Sequence, residues 1–142
     1  ANFPNRIKTL TSVMSTTFAP HLPPPSPTAE DNLRDLAGGD AEASREELMR
    51  ARGFHPESME RHLMAIFKTG DRTEEVQTIT APTLVLHGSE DPLIPPAHGI
   101  HTAEQIAGAQ FVLIDGMGHN LPEPYHDQIV GLMTDHIVAY DH

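Results

Sequence analysis

The chain has 142 residues, among them 13 Pro and 10 Gly but no Cys, and a formal net charge of −11. That length suits one ordinary domain, and the missing Cys excludes disulfides, thiol catalysis and thiolate metal sites. The acidic balance repels nucleic acid and anionic membrane surfaces, no apolar run has membrane-spanning length, and a chain needing no disulfide suits a cytoplasmic location.

The first residues, Ala1-Asn2-Phe3-Pro4-Asn5-Arg6, lack Met and the charged-then-apolar order of a signal peptide, and read as the middle of a longer sequence. From Ile7 to Met14, β-branched Ile7, Thr9, Thr11 and Val13 alternate with other residues, which predicts a strand. Pro20, Pro23, Pro24, Pro25 and Pro27 then remove backbone donors and fix φ, so a loop or hinge follows. Between Glu30 and Phe67 the pattern is helical in short pieces, broken at Gly38-Gly39 and Gly53, with Ser44-Arg45-Glu46-Glu47 as a capping box. Met59, Leu63, Ile66 and Phe67 share one face, the pattern of a core-facing stripe. With Met49 and Met64 close by, a soft substrate-lining surface is the alternative.

The character changes at Thr80. After Ala81-Pro82, the segment Thr83 to His87 is apolar without alternation, as in a strand buried on both faces. Ala97 to Ala107 reads as a helix ended by Gly108, and Phe111 to Ile114 as a second apolar strand. Tyr125 to Tyr140 reads as an amphipathic helix with Ile129, Met133, Ile137 and Tyr140 aligned. Strands alternating with helices predict an α/β fold with a parallel sheet, whose functional loops gather beyond the strands' carboxyl ends.

Two residues fall on such loops. Asp91 follows the first apolar strand in Gly88-Ser89-Glu90-Asp91-Pro92, and His119 follows the second in Gly116-Met117-Gly118-His119. Each has a bland explanation, Asp91 as a turn residue before Pro and His119 as one of ten histidines. Together they match the acid and base of a Ser-His-Asp triad, in which a carboxylate orients an imidazole that takes the nucleophile's proton. No Ser lies at Gly-x-Ser-x-Gly spacing in this chain. His98 and His101, at i and i+3, lack a His-Glu-x-x-His order and a third ligand, so surface histidines explain them better than a metal. His87, at a strand end, reads as a maker of structural hydrogen bonds.

Residues 80–142 resemble the C-terminal portion of an α/β-hydrolase, where a late strand ends in a Gly-x-x-Asp turn and the next in a Gly-x-Gly-His loop. Phe3-Pro4-Asn5-Arg6-Ile7 resembles the end of the helix that follows the nucleophile elbow. Leu10-Thr11-Ser12-Val13-Met14-Ser15-Thr16 with its Pro-rich sequel resembles the aclacinomycin methylesterase group of carboxylic ester hydrolases. The resemblance implies that residues 1–14 hold the end of the post-elbow helix and strand six, 15–78 a mostly helical cap or lid, and 79–142 the C-terminal core with strands seven and eight. It implies Asp91 and His119 as catalytic residues, Met14, Ser15, Leu93 and Ile94 as substrate-binding positions, and no cofactor or metal. The implied partners are a small apolar ester and the N-terminal half of the fold, carrying the Ser nucleophile and oxyanion loop. Without that half the chain is expected to be inactive. The same positions serve lactone, carbon–carbon or haloalkane hydrolysis, and a non-catalytic binding protein of this fold is a further alternative.

Overall fold

A computed structural model describes residues 6–27 and 68–141, together with Ala29, Arg61 and residues 64–66. Contacts divide the chain into two units, one of residues 1–26 and 71–142 and one of residues 27–70. The first unit holds three parallel strands, β1 (Leu10–Val13), β2 (Thr83–Gly88) and β3 (Gln110–Ile114), in the order β1-β2-β3. Among the described residues of this unit the α-helices are α1 (Thr73–Gln77), α2 (Ala97–Gln105) and α3 (His126–Tyr140).

β2 is buried at all six positions, as its unbroken apolar run requires of a central strand with neighbours on both sides. Its register runs from Leu10 opposite Thr83 to Val13 opposite Leu86, and from Leu84 opposite Gln110 to Gly88 opposite Ile114. The first strand is shorter than the Ile7–Met14 expected. At its start, Leu10 N donates to Pro82 O, and Pro82 has no N–H to extend the ladder. At its end, Met14 takes φ 46°, a left-handed conformation that turns the chain out of the sheet.

Alternation along β2 sends Leu84 and Leu86 to one face, where they meet Ile114, Met117 and Ile129 in a buried cluster. Val13, Met14, Val112, Tyr125, Leu132 and Met133 pack around it. Val85 and His87, both fully buried, face the other way, and the His87 ring lies against Gly99 of α2. The buried stripe of α3 is not the expected one. Ile129 and Met133 point inward, but Ile137 is 47% exposed and Tyr140 39%, while His136 is buried with Nε2 3.2 Å from Pro82 O. An imidazole with a carbonyl to bond outcompetes an isoleucine for that place, which apolar periodicity does not reveal. α2 ends at Gln105, two residues before the expected Ala107, and Gly108 at φ 75° closes the turn that follows.

The Pro-rich residues 15–27 form no helix or strand, as expected. The backbone ties Arg72 N to Thr17 O at 2.7 Å and Ser26 N to Pro92 O at 2.7 Å, so segments on both sides of residues 27–70 belong to the sheet unit. α1, absent from the sequence reading, opens with Asp71 Oδ1 accepting from Thr73 N and Thr73 Oγ1. The predicted capping box at Ser44 and the stripe residues Met59, Leu63 and Phe67 lie outside the described residues. Of that stripe Ile66 is described, and it is exposed.

Candidate active site

The loops after β2 and β3 are cross-tied before any side-chain chemistry begins. Ser89 N donates to Ile114 O and Glu90 N to Met117 O, while Gly116 N donates to Ser89 Oγ. Contact is so close that a Cβ at Gly88 would stand 2.1 Å from Met117 O, which is why the Gly-x-x-Asp turn must begin with glycine. The two loops therefore hold each other at fixed separation, and Asp91 and His119 ride on them.

His119 Nδ1 lies 2.8 Å from Asp91 Oδ2, the approach expected of the pair. The other carboxylate oxygen, Oδ1, accepts from Leu93 N at 3.0 Å and Ile94 N at 2.8 Å, so the carboxylate is saturated from both sides. Burial of Asp91 opposes its ionisation, but bonds from His119, from His87 and from Ile94 N outweigh that penalty and hold its carboxyl well below the usual carboxylate range. An ionised Asp91 can only accept. Nδ1 of His119 thus carries the hydrogen, leaving Nε2 with a lone pair on a side chain 27% exposed. This is the arrangement of a general base with its orienting acid.

The other expected site residues divide. The Leu93 and Ile94 backbones hold the acid, a task their expected substrate-binding role did not foresee. Met14 packs on the core cluster, and Ser15 Oγ hydrogen-bonds Ser12 Oγ at the carboxyl end of β1. His98 and His101, expected at the surface, are instead buried, and they have separate partners. His98 spans Thr16 Oγ1 at 2.7 Å and Pro23 O at 2.8 Å, and His101 lies edge-on to His21 with Nε2 3.4 Å from Thr73 Oγ1. Among the described residues no group of three or more His, Cys, Asp or Glu converges to hold a metal ion. Nor, among them, is any helix long and apolar enough to cross a membrane. The strongest unforeseen participant is His87, whose Nε2 lies 2.7 Å from Ile94 O and 3.5 Å from Asp91 Oδ2. A histidine four residues before the acid was the available signal.

The model of the serine aminopeptidase, S33, hydrolase family matches residues 2–123. Rhodomycin D methylesterase DauP of Streptomyces sp. (strain C5) is 38% identical over 68 residues, 48% of this chain and 23% of that protein. Rhodomycin D methylesterase DnrP of Streptomyces peucetius is 35% identical over 78 residues, 55% of this chain and 26% of that protein. Among solved structures, the meta-cleavage product hydrolase CumD of Pseudomonas fluorescens IP01 superposes with TM-score 0.66 at 19% identity, covering 97% of this chain and 58% of that one. The matched segment thus spans about a quarter of the curated relatives' length and the chain just over half of a solved hydrolase. The chain belongs to the serine aminopeptidase, S33, hydrolase family and has the α/β-hydrolase fold, of which it carries a part.

Proposed function

We propose that this member of the S33 hydrolases supplies the acid and base of a cofactor-independent serine esterase acting on a carboxylic ester of a small apolar molecule. The Asp91–His119 hydrogen bond, on the loops that follow neighbouring parallel strands, is the observation that carries the reading. The likeness to two methylesterases favours a methyl ester among carboxylic esters.

In the proposed reaction a Ser on the N-terminal half of the fold attacks the ester carbonyl while His119 Nε2 takes its proton. Asp91 keeps the imidazole in the Nδ1–H tautomer and stabilises the imidazolium that forms. The tetrahedral intermediate then expels the alcohol, which receives the proton from His119. Water repeats the sequence on the acyl-enzyme and releases the acid. Donors to the oxyanion, each worth about 2.7–4 kcal/mol, would come with the Ser from the upstream half. Met14, Ser15, Leu93 and Ile94 would border the substrate from the strand ends.

The test is hydrolysis of short-chain aryl and methyl esters by the full-length protein. His119→Ala should lower kcat by roughly 10⁴-fold or more. Undiminished turnover in that variant overturns the mechanism. Turnover of haloalkanes without esters reassigns the chemistry, and a full-length protein that binds but never turns over such compounds is a binding protein.

A further inference from the structure

His87 is a fully buried imidazole that the acid–base chemistry does not itself consume. Its Nε2 faces a carbonyl oxygen, Ile94 O, at 2.7 Å, and a carbonyl can only accept, so Nε2 carries the hydrogen. The same nitrogen stands 3.5 Å from Asp91 Oδ2, the oxygen bonded to His119. Ile94 in turn donates its N–H to Asp91 Oδ1 at 2.8 Å, so one imidazole closes a ring through the acid's own loop and reaches the carboxylate from both directions. The opposite ring nitrogen, Nδ1, is buried without a hydrogen-bond partner.

That orphaned atom explains a second oddity. Gly99 is the third residue of α2, in its first turn, where glycine is still a poorer helix former than alanine. A Cβ there would stand 2.4 Å from His87 Nδ1 and 2.8 Å from Cγ, so the ring occupies the space that any other residue would fill. The helix gives up propensity and the imidazole leaves a nitrogen unpaired, both for one ring position. Filling space does not account for this, since an apolar side chain would pack against Gly99 without an unpaired nitrogen.

We propose that His87 is a positioning residue for Asp91: its Nε2–H holds the Asp91–Ile94 loop closed and sets the carboxylate so that Oδ2 meets His119. Gly99 is the seat for that ring. The inference rests on Asp91 and His119 being the acid and base, and it extends their pair to a His-Asp-His array whose first imidazole and carboxylate are buried. The bond from His119 and the His87 N–H 3.5 Å away both favour the ionised carboxylate, in the same sense as its lowered pKa.

The test is read without substrate, on the full-length protein labelled with ¹⁵N at histidine. The signal is the downfield Nδ1–H proton of His119 and its exchange with water. His87→Phe keeps the ring's shape and removes the donor, and exchange should quicken up to roughly tenfold, the upper worth of one hydrogen bond to a neutral carbonyl. His87→Gln, whose amide N–H₂ can reach Ile94 O, should restore most of the protection. Gly99→Ala leaves His87 chemically intact but displaces its ring, and should behave like His87→Phe. The Gly99 variant decides the matter if the Phe variant does not fold. Wild-type exchange in both His87→Phe and Gly99→Ala overturns the proposal, as does a Gln variant no better than Phe. A protein that shows the expected exchange pattern yet cleaves no ester refutes the ester reading alone.

Discussion

At the scale of single residues, the Asp91 carboxyl links chemistry to stability. Burial disfavours its charge, and the bonds it accepts from His119, His87 and Ile94 N more than offset this, so its folded pKa lies below the unfolded value of about 4. A depressed carboxyl pKa stabilises the fold at every pH above the unfolded value, and that contribution is lost as pH falls below about 4 towards the folded value. Urea melts of the full-length protein at pH 7 and pH 3 should therefore show a loss on acidification that Asp91→Asn reduces. An equal loss in both proteins would mean that other carboxylates govern the acid limb. Asp91→Asn should also lower kcat about 10⁴-fold, because a neutral amide no longer dictates the His119 tautomer. Lys8 and Asp141, which pair at 2.6 Å with both side chains largely exposed, should matter little by comparison.

At the scale of elements, the close crossing of the two site loops is the point most sensitive to change. Gly88→Ala forces a Cβ into the Met117 carbonyl, a backbone atom that cannot swing aside, and should cost about 1–3 kcal/mol or more and disturb the Asp91–His119 distance. Leu86→Ala, which empties the centre of the cluster beneath the site, should cost about 2–5 kcal/mol without altering the acid–base chemistry directly. Denaturant midpoints measure both, and a neutral Gly88→Ala would mean the loops are not held in register there. The parallel strands and their two loop residues were legible because unbroken apolar runs, glycines and carboxylate or imidazole side chains sit at fixed offsets in the sequence. His87 was visible as a residue, but its task was not, since its partner is a main-chain carbonyl seven positions away. His136 was hidden for a similar reason: a histidine whose Nε2 meets the Pro82 carbonyl takes a buried place that periodicity assigns to Ile137. The left-handed Met14 that ends β1 has no sequence signal either, because that conformation is ordinarily given to glycine.

At the scale of the molecule, the sheet among the described residues has three strands, which leaves both outer ones with one neighbour there, and Leu113, Val130, Ile137 and Val138 are exposed. Unpaired strand edges beside apolar surface favour association, so the 142-residue chain alone should self-associate or require a complementing N-terminal half. Size-exclusion chromatography over a concentration series checks this, and a monodisperse monomer with a cooperative melt would show an autonomous domain. The register of the sheet also dictates an order of events. β2 finds β3 across roughly 25 residues, whereas β1 must find β2 across roughly 70, an added closure cost of about 0.9 kcal/mol before the intervening unit is considered. Nucleation should begin with β2, α2 and β3; the loop after β2 carries Asp91 and the loop after β3 carries His119. Pulse-labelled hydrogen exchange during refolding should protect Val85 and Val112 amides ahead of those of Leu10 and Met14, which donate to β2 and the residue before it. The acid and base would then already be in place when the first strand docks, so that the chemistry is assembled early and the strand next to it joins last.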